Sequence, residues 1–172
     1  MQYSVRKPDA REIDGAVFQS LEPVIRGMGM SLIELSVFRQ KAKGKKSGAP
    51  GVQVRAVVYK DGVTGIEDCS RVHRSIMPRL ELAFADHEIY LEVSSPGIDR
   101  LIKDGSEFAH YIGREVRCYR TDISDWTAGV LRSADDTQIV LQGENEEMIL
   151  PFELIAKARL CAPARGPSGK GG

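Results

Sequence analysis

Apolar residues recur three or four positions apart in two segments near the start of the chain, and this spacing predicts two amphipathic helices. The first segment covers residues 11–28 and the second covers residues 61–84. In the second segment Thr64 and Glu67 have the spacing of a capping box, which predicts that the helix begins there. Pro78 lies inside this helix, so we expect a kink or a break at that position.

Apolar and polar residues alternate in three further segments, which is typical of β-strands with one buried face. These segments cover residues 31–39, 51–60 and 87–95. In the first of them Ile33, Leu35 and Val37 are expected to share the buried face, and the first two strands are expected to form an antiparallel hairpin. Together with the helices, the strands predict an α-β-β-α-β domain of the α+β class over residues 1–112.

The apolar segments become short in the C-terminal part of the chain, where tight turns separate them. Five such segments and one tight helical turn predict a small SH3-like β-barrel over residues 113–161. A short helical piece that begins at Asp104 or Ser106 precedes them. Residues 162–172 are rich in glycine, proline and serine, so we expect a disordered tail.

The third strand ends in the corner "VSSPGIDR", residues 93–100. Pro96 cannot continue a strand ladder, and Gly97 after it is expected to supply the positive φ of a type II turn. Ser94 and Ser95 can then bond the freed backbone amides. A structural corner is therefore at least as good an interpretation as a catalytic one.

The composition is typical of a soluble globular protein, with 42% hydrophobic residues, 28% charged residues and a net charge of zero. No apolar run is long enough to span a bilayer, and the N-terminus lacks the apolar core of a secretory signal. We therefore expect a cytoplasmic protein, and we expect it to be a monomer.

The sequence gives no support to catalysis or metal binding. Cys69, Cys118 and Cys161 are far apart and form no CxxC pair, which argues against a disulfide framework and a zinc site. The serines of the corner do not lie in a GxSxG elbow, and no phosphate-binding glycine motif is present. We expect no catalytic residue, no metal and no cofactor, and hence a protein that is not an enzyme.

Charge is distributed unevenly along the chain. Residues 39–60 hold seven basic residues and no acidic one, so a phosphate backbone is a natural partner for this hairpin. The candidate phosphate-binding residues are Arg39, Lys41, Lys43, Lys45, Lys46, Arg55 and Lys60. The alternative, a solvated loop whose lysines keep the hairpin tip soluble, stays open at this point.

Three stretches of the chain resemble the bacterial ribosome maturation factor RimP family. They are "YLEVSSPGIDR" at the corner, "DGVTGIEDCSRVHRSI" at the second helix, and "YIGREVRCY" followed by "ILPFELIAKARL" in the C-terminal part. The resemblance covers roughly residues 11–161, and its motif residues are Ser94, Ser95, Pro96, Gly97, Asp99 and Arg100. Leu101 stands where the family usually has proline, and His73 stands where it usually has serine.

The resemblance implies an N-terminal α+β domain and a C-terminal SH3-like domain. It also implies a non-enzymatic role in maturation of the small (30S) ribosomal subunit, through binding of the immature particle and its rRNA. It further implies a link to incorporation of small-subunit protein twelve. The motif residues would then be structural or would contact the ribosome, and Asp99 and Arg100 could pair across the turn or hold the joint between the domains.

Residues 113–153 carry a net charge of about −5, which suggests a division of labour. The basic hairpin would contact rRNA, and acidic residues of the C-terminal domain would face a basic ribosomal protein. The candidates for that second contact are Glu115, Asp122, Asp125, Asp135 and Asp136. The rival hypotheses are RNA contact by both domains, and a regulatory module that binds a non-ribosomal protein.

Overall fold

The computed structural model of the protein describes four stretches of the chain: residues 12–39, 50–61, 64–97 and 99–161. These residues fall into two compact units, and the boundary lies between Pro96 and Gly97. The four lysines of the predicted basic loop and the predicted tail lie outside the described residues.

The first unit contains two helices and three strands in the predicted α-β-β-α-β order. They are α1 (Glu12–Gly27), β1 (Ser31–Arg39), β2 (Gly51–Tyr59), α2 (Ile66–Ala83) and β3 (Glu88–Ser94). The sheet order is β1-β2-β3, in which β1 and β2 are antiparallel while β2 and β3 are parallel. The predicted hairpin and the α+β class are therefore confirmed, and α2 is the crossover that joins the two parallel strands.

The core of the first unit is aliphatic and lies between the sheet and its helices. The alternate residues of the central strand β2 are fully buried, as its period of two requires. Complete burial of a valine, leucine or isoleucine side chain contributes on the order of 1.5–3 kcal/mol to the free energy of unfolding. The residues that β2, α1 and α2 contribute to this core are Val52, Val54, Ala56, Val58, Val17, Leu21, Ile25, Val72, Ile76 and Leu80.

A β-bulge in β1 overturns the prediction that Ile33 belongs to the buried face. The register of β1 on β2 shifts between Leu32 and Glu34, so Ile33 is an extra residue in the ladder. Leu32 packs in the core instead, and Leu35 packs partly against it. Alternation along a single strand cannot reveal such a bulge, because the partner strand creates it.

Helix α2 begins one residue later than its capping-box spacing predicts. The Gly65 N–H donates to Asp68 Oδ2 at 3.1 Å, which replaces the predicted pair of Thr64 and Glu67. The helix also continues through Pro78 as one element of 18 residues. The break expected at that proline is therefore absent.

The second unit is rich in strands. It contains β4 (Leu101–Ile102), a 3-10 helix (Gly105–Tyr111), β5 (Glu115–Arg120), β6 (Asp125–Ala134), β7 (Gln138–Gln142), β8 (Glu147–Pro151), a second 3-10 helix (Phe152–Leu154) and β9 (Ile155–Leu160). The strand order is β4-β9-β5-β6-β7-β8, and all pairs are antiparallel. Among the described residues the ladder is an open series, so the SH3-like barrel stays a prediction.

Residues 97–112 lie with the second unit, although the sequence pattern assigned them to the first domain. Leu101 and Ile102 pair with β9, and Gly113 N–H donates to Leu131 of β6. Phe108 is fully buried and stacks on Phe152 with 5.8 Å between the ring centroids. This aromatic contact joins residues far apart in the sequence, so the boundary could not be read from local spacing.

Candidate functional site

The corner after β3 is a turn, but its geometry differs from the predicted one. Arg100 N–H donates to the Gly97 carbonyl at 3.2 Å, and Asp99 has a φ of 63°. Gly97 itself does not have a positive φ, so the type II turn centred on Pro96 and Gly97 is wrong. Aspartate tolerates the left-handed region better than most residues, which explains how Asp99 can occupy this position.

Asp99 binds two arginines on the surface of the second unit. Arg117 Nη2 lies 2.6 Å from Asp99 Oδ1, and Arg159 Nη1 lies 3.2 Å from Oδ2. Arg159 also donates to the Asp99 backbone carbonyl at 2.9 Å. The side chains of Asp99 and Arg117 are 47% and 43% exposed. We call these three residues the Asp99 cluster.

Arg100, the next residue, takes part in a buried network. Its Nε lies 2.6 Å from Glu107 Oε1, and the two side chains are only 12% and 7% exposed. Tyr111 Oη–H donates to the same oxygen at 2.9 Å, and Lys103 N–H donates to Oε2 at 3.1 Å. Burial, together with the negative charge of Glu107, raises the pKa of Tyr111. We call Arg100, Glu107 and Tyr111 the Arg100 cluster.

The sequence allowed Asp99 and Arg100 to pair across the turn, but in the structure they do not pair with each other. Each binds residues of the second unit, one at the surface and one in the interior. The corner motif thus fixes the start of that unit.

A surface groove lies beside the end of β3, between that strand and the first turns of α2. It has a volume of about 530 Å³, and its lining includes Ser94, Ser95, Cys69, His73 and Arg74. Among the described residues neither serine hydroxyl forms a hydrogen bond, so the predicted bonds from these serines to freed backbone amides are absent there. Burial, followed by the charge of Asp68, raises the pKa of the Cys69 thiol, which makes it a poorer nucleophile at neutral pH.

The described cations of the basic hairpin have partners in the first unit. Arg55 Nε lies 3.2 Å from Glu92, Lys60 Nζ lies 3.5 Å from Asp68, and the Arg39 guanidinium lies over the Phe84 ring. Exposed ion pairs contribute only about 0–1 kcal/mol, so Arg55 and Lys60 can exchange a carboxylate for a phosphate at little cost.

The acidic candidates of the second unit do not form one patch. Asp122, whose pKa the adjacent Arg120 lowers, lies with Asp125 at the turn between β5 and β6. Asp135 and Asp136 lie at the turn between β6 and β7, at the other end of β6. Glu115 is exposed at the start of β5.

Asp135 has a structural role in its turn. Its Oδ1 accepts hydrogen bonds from the backbone N–H groups of Thr137 and Gln138 at 2.7 and 2.9 Å. These bonds lower the pKa of the carboxyl group. A substitution of Asp135 would therefore disturb the turn as well as any binding.

Sequence reasoning missed a set of basic and aromatic residues on β5, β6 and β9. The signal was present, because Arg117 and Tyr119 alternate with the apolar residues of β5. The net charge of about −5 belongs to residues 113–153 and does not include Lys157 and Arg159, so it conceals a basic surface.

The part of the chain that the structure describes has neither a cluster of metal-ligating side chains nor a membrane-spanning helix. No group of three or more His, Cys, Asp or Glu residues there could hold a metal ion. No described helix is long and apolar enough to cross a membrane.

Comparison with known proteins agrees with the motif at the corner. Residues 20–99 match the family described as the RimP N-terminal domain. The chain is also 26% identical to the ribosome maturation factor RimP of Borrelia hermsii (strain HS1 / DAH) over 144 residues, which covers 84% of this chain and 93% of that protein. The resemblance that the sequence indicates is therefore confirmed: residues 20–99 match the RimP N-terminal domain, and most of the chain is similar to a ribosome maturation factor RimP.

Proposed function

We propose that this protein is a ribosome maturation factor that assists assembly of the small (30S) ribosomal subunit. The observation that carries the proposal is the similarity to a ribosome maturation factor RimP along 84% of the chain. The match of residues 20–99 to the RimP N-terminal domain supports it independently.

The protein acts by binding the immature particle and not by catalysis. The basic residues between Arg39 and Lys60 contact phosphates of rRNA, in a mode that releases counterions. Acidic residues at the turns of the second unit face a basic ribosomal protein, for which small-subunit protein twelve is the candidate. The weak exposed ion pairs of Arg55 and Lys60 support the contact with rRNA, because these pairs cost little to break.

The six-stranded antiparallel ladder, with a 3-10 turn before its last strand, supports an SH3-like second unit. We expect the protein to work in the cytoplasm, where ribosomes are assembled, as a monomer without a cofactor.

Sedimentation of ribosomes from a strain that lacks the gene tests the function. We expect immature small subunits and free large subunits to accumulate, and expression of the full chain to restore the normal profile. An unchanged profile in the deletion strain would reject the proposal.

The salt dependence of binding distinguishes this function from a regulatory protein-interaction module. Affinity for purified immature subunits should fall steeply with salt, with a slope of about 0.7–0.9 per phosphate contact. Replacement of Lys41, Lys43, Lys45 and Lys46 by glutamine should reduce that slope. A flat response in the wild type would favour the rival module.

A further inference from the structure

The outward surface of β5, β6 and β9 carries basic and aromatic side chains side by side. Val116 and Cys118 of β5 are fully buried, so Arg117 and Tyr119 point away from the core. Tyr119 is paired with Trp126 on β6 and with Lys157 on β9.

Residues paired side by side across the strands form a row on this surface, and Arg117 lies in the row next to that of Tyr119. It is paired with Ala128 on β6 and with Arg159 on β9, and Leu101 of β4 lies beyond Arg159. We define the basic-aromatic face by the five residues that carry its charge and its rings: Arg117, Tyr119, Trp126, Lys157 and Arg159.

Contacts within the basic-aromatic face hold its rings in place. The Arg117 guanidinium lies 5.1 Å from the centroid of the Trp126 ring. Tyr119 meets Trp126 edge to face with 5.6 Å between the centroids. Trp126 is nevertheless 40% exposed, so part of its ring is available to a partner.

The charge of this face is opposite to that of the unit that carries it. Its two central rows contain three cations and no acidic residue. Asp99 bridges two of these cations from the preceding turn, and Glu115 lies one row away on β5. The acidic turns of the unit lie outside these two rows, so the face itself favours an anionic partner.

We propose that the basic-aromatic face binds unpaired RNA, with bases stacked on Trp126 and the Arg117 plane and phosphates on Lys157 and Arg159. Exposed aromatic rings between cations are the elements with which proteins hold single-stranded nucleic acid, because every base has a stacking face. This inference rests on the proposed function, which brings the protein to an immature particle with incompletely paired rRNA. It adds an RNA contact on the second unit to the one that the basic hairpin makes from the first unit.

An acidic protein segment is the other anionic partner that the cations could accept. The exposed tryptophan favours RNA, because carboxylates make no use of a stacking surface next to the cations. Polyglutamate therefore serves as the competing probe in the test.

Trp126 is the only tryptophan of the chain, so its fluorescence reports on this face alone. We expect a short oligouridylate to quench the emission of the purified full-length protein, with a midpoint that rises with salt. Polyglutamate at the same charge concentration should neither quench the emission nor displace the RNA. Equal quenching or displacement by polyglutamate would overturn the assignment to RNA, as would an unchanged emission at saturating oligouridylate.

Variants separate stacking from charge, with anisotropy of a labelled oligouridylate as the readout. Trp126→Ala should weaken binding roughly 5- to 150-fold, and Trp126→Phe should restore most of it. Lys157→Gln should lower the salt slope by about 0.7, whereas Arg132→Gln, an equal loss of charge at an exposed position of β6 outside the face, should not. Thermal melting would verify that each variant is folded, and equal effects of Lys157→Gln and Arg132→Gln would overturn the proposed site.

The two proposals can fail separately. Absence of RNA binding by a protein that still restores subunit maturation would reject the face and leave the function. A normal ribosome profile in the deletion strain would reject the function without changing the fluorescence titration.

Discussion

The Asp99 cluster and the Arg100 cluster begin at adjacent residues and place their charges in opposite environments. Asp99 is 47% exposed and shares its carboxylate with two surface arginines. Arg100 is 12% exposed, and its partner Glu107 is 7% exposed and also accepts from Tyr111. Similar distances thus occur with very different solvation.

Solvation, rather than distance, therefore decides how much each ion pair contributes to stability. An exposed pair contributes only about 0–1 kcal/mol, since water solvates both partners when they separate. A buried pair costs several kcal/mol to desolvate, and removing one partner leaves the other charged and unsolvated. We therefore assign a structural role to Arg100. Asp99 contacts Arg117 and Arg159 and so lies beside the basic-aromatic face.

The largest effect should come from breaking the Arg100 cluster with Glu107→Gln. We expect a loss of roughly 3–5 kcal/mol in the free energy of unfolding, because buried Arg100 would lose the carboxylate of Glu107, which lies 2.6 Å from its Nε. Urea unfolding followed by Trp126 fluorescence would measure it, since that tryptophan lies in the same unit. Glu115→Gln, an equal change at an exposed position of β5, should stay within about 0.5 kcal/mol, and equal losses would contradict the contrast.

Tyr111→Phe should have the next largest effect, because it removes one hydrogen bond to the buried carboxylate of Glu107. We expect a loss of about 1.5–3 kcal/mol at neutral pH, measured by the same urea unfolding. Burial raises the pKa of Tyr111 in the folded state, whereas an unfolded tyrosine titrates near pH 10.

The contribution of the Tyr111 proton is therefore complete below about pH 10 and is lost as the pH rises above it. The wild type should lose stability in that range more steeply than Tyr111→Phe. Parallel pH profiles of the two proteins would contradict the link between Tyr111 and Glu107.

Asp104→Ala should have a moderate effect, because Asp104 caps the 3-10 helix that carries Glu107. Its Oδ1 accepts from the backbone N–H groups of Ser106 and Glu107 at 2.9 and 3.2 Å. We expect a loss of about 1 kcal/mol, and Asp104→Asn, which keeps a capping oxygen, should retain most of the stability. If the asparagine variant is as unstable as the alanine variant, the cap is not the cause.

Asp99→Asn should have the smallest effect on stability. We expect a change below about 1 kcal/mol, because the cluster is exposed and asparagine also tolerates a φ of 63°. RNA affinity should instead increase, since Arg117 and Arg159 lose the charge that offsets them. A large loss of stability, measured by urea unfolding, would mean that the Asp99 cluster also has a structural role.

Much of the fold could be predicted because it is recorded in local patterns. Periods of two and of about 3.6 located the three strands and two helices of the first unit and the main strands of the second. The bulge at Ile33, the two-residue strand β4 and the unbroken helix at Pro78 could not be predicted in this way. The bulge and β4 depend on pairing with other strands, which local spacing does not record.

Prediction of the candidate site was less complete. The corner motif indicated the resemblance to the RimP family, and the basic hairpin indicated a region of unusual charge. Neither indicated that Asp99 and Arg100 have different partners, nor that Arg117 and Trp126 share a face. Charge counted along the chain averages over positions that a sheet separates, such as the acidic turns and the basic-aromatic face.

The sequence by itself determined the element order of this protein, its family motif and its candidate charges, because these follow from spacing and residue type. Only the tertiary structure decided where the corner motif acts. The turn places Asp99 in water and Arg100 beside a carboxylate that the fold buries. Solvation of a charge depends on every element packed around it, and that arrangement exists only once the chain has folded.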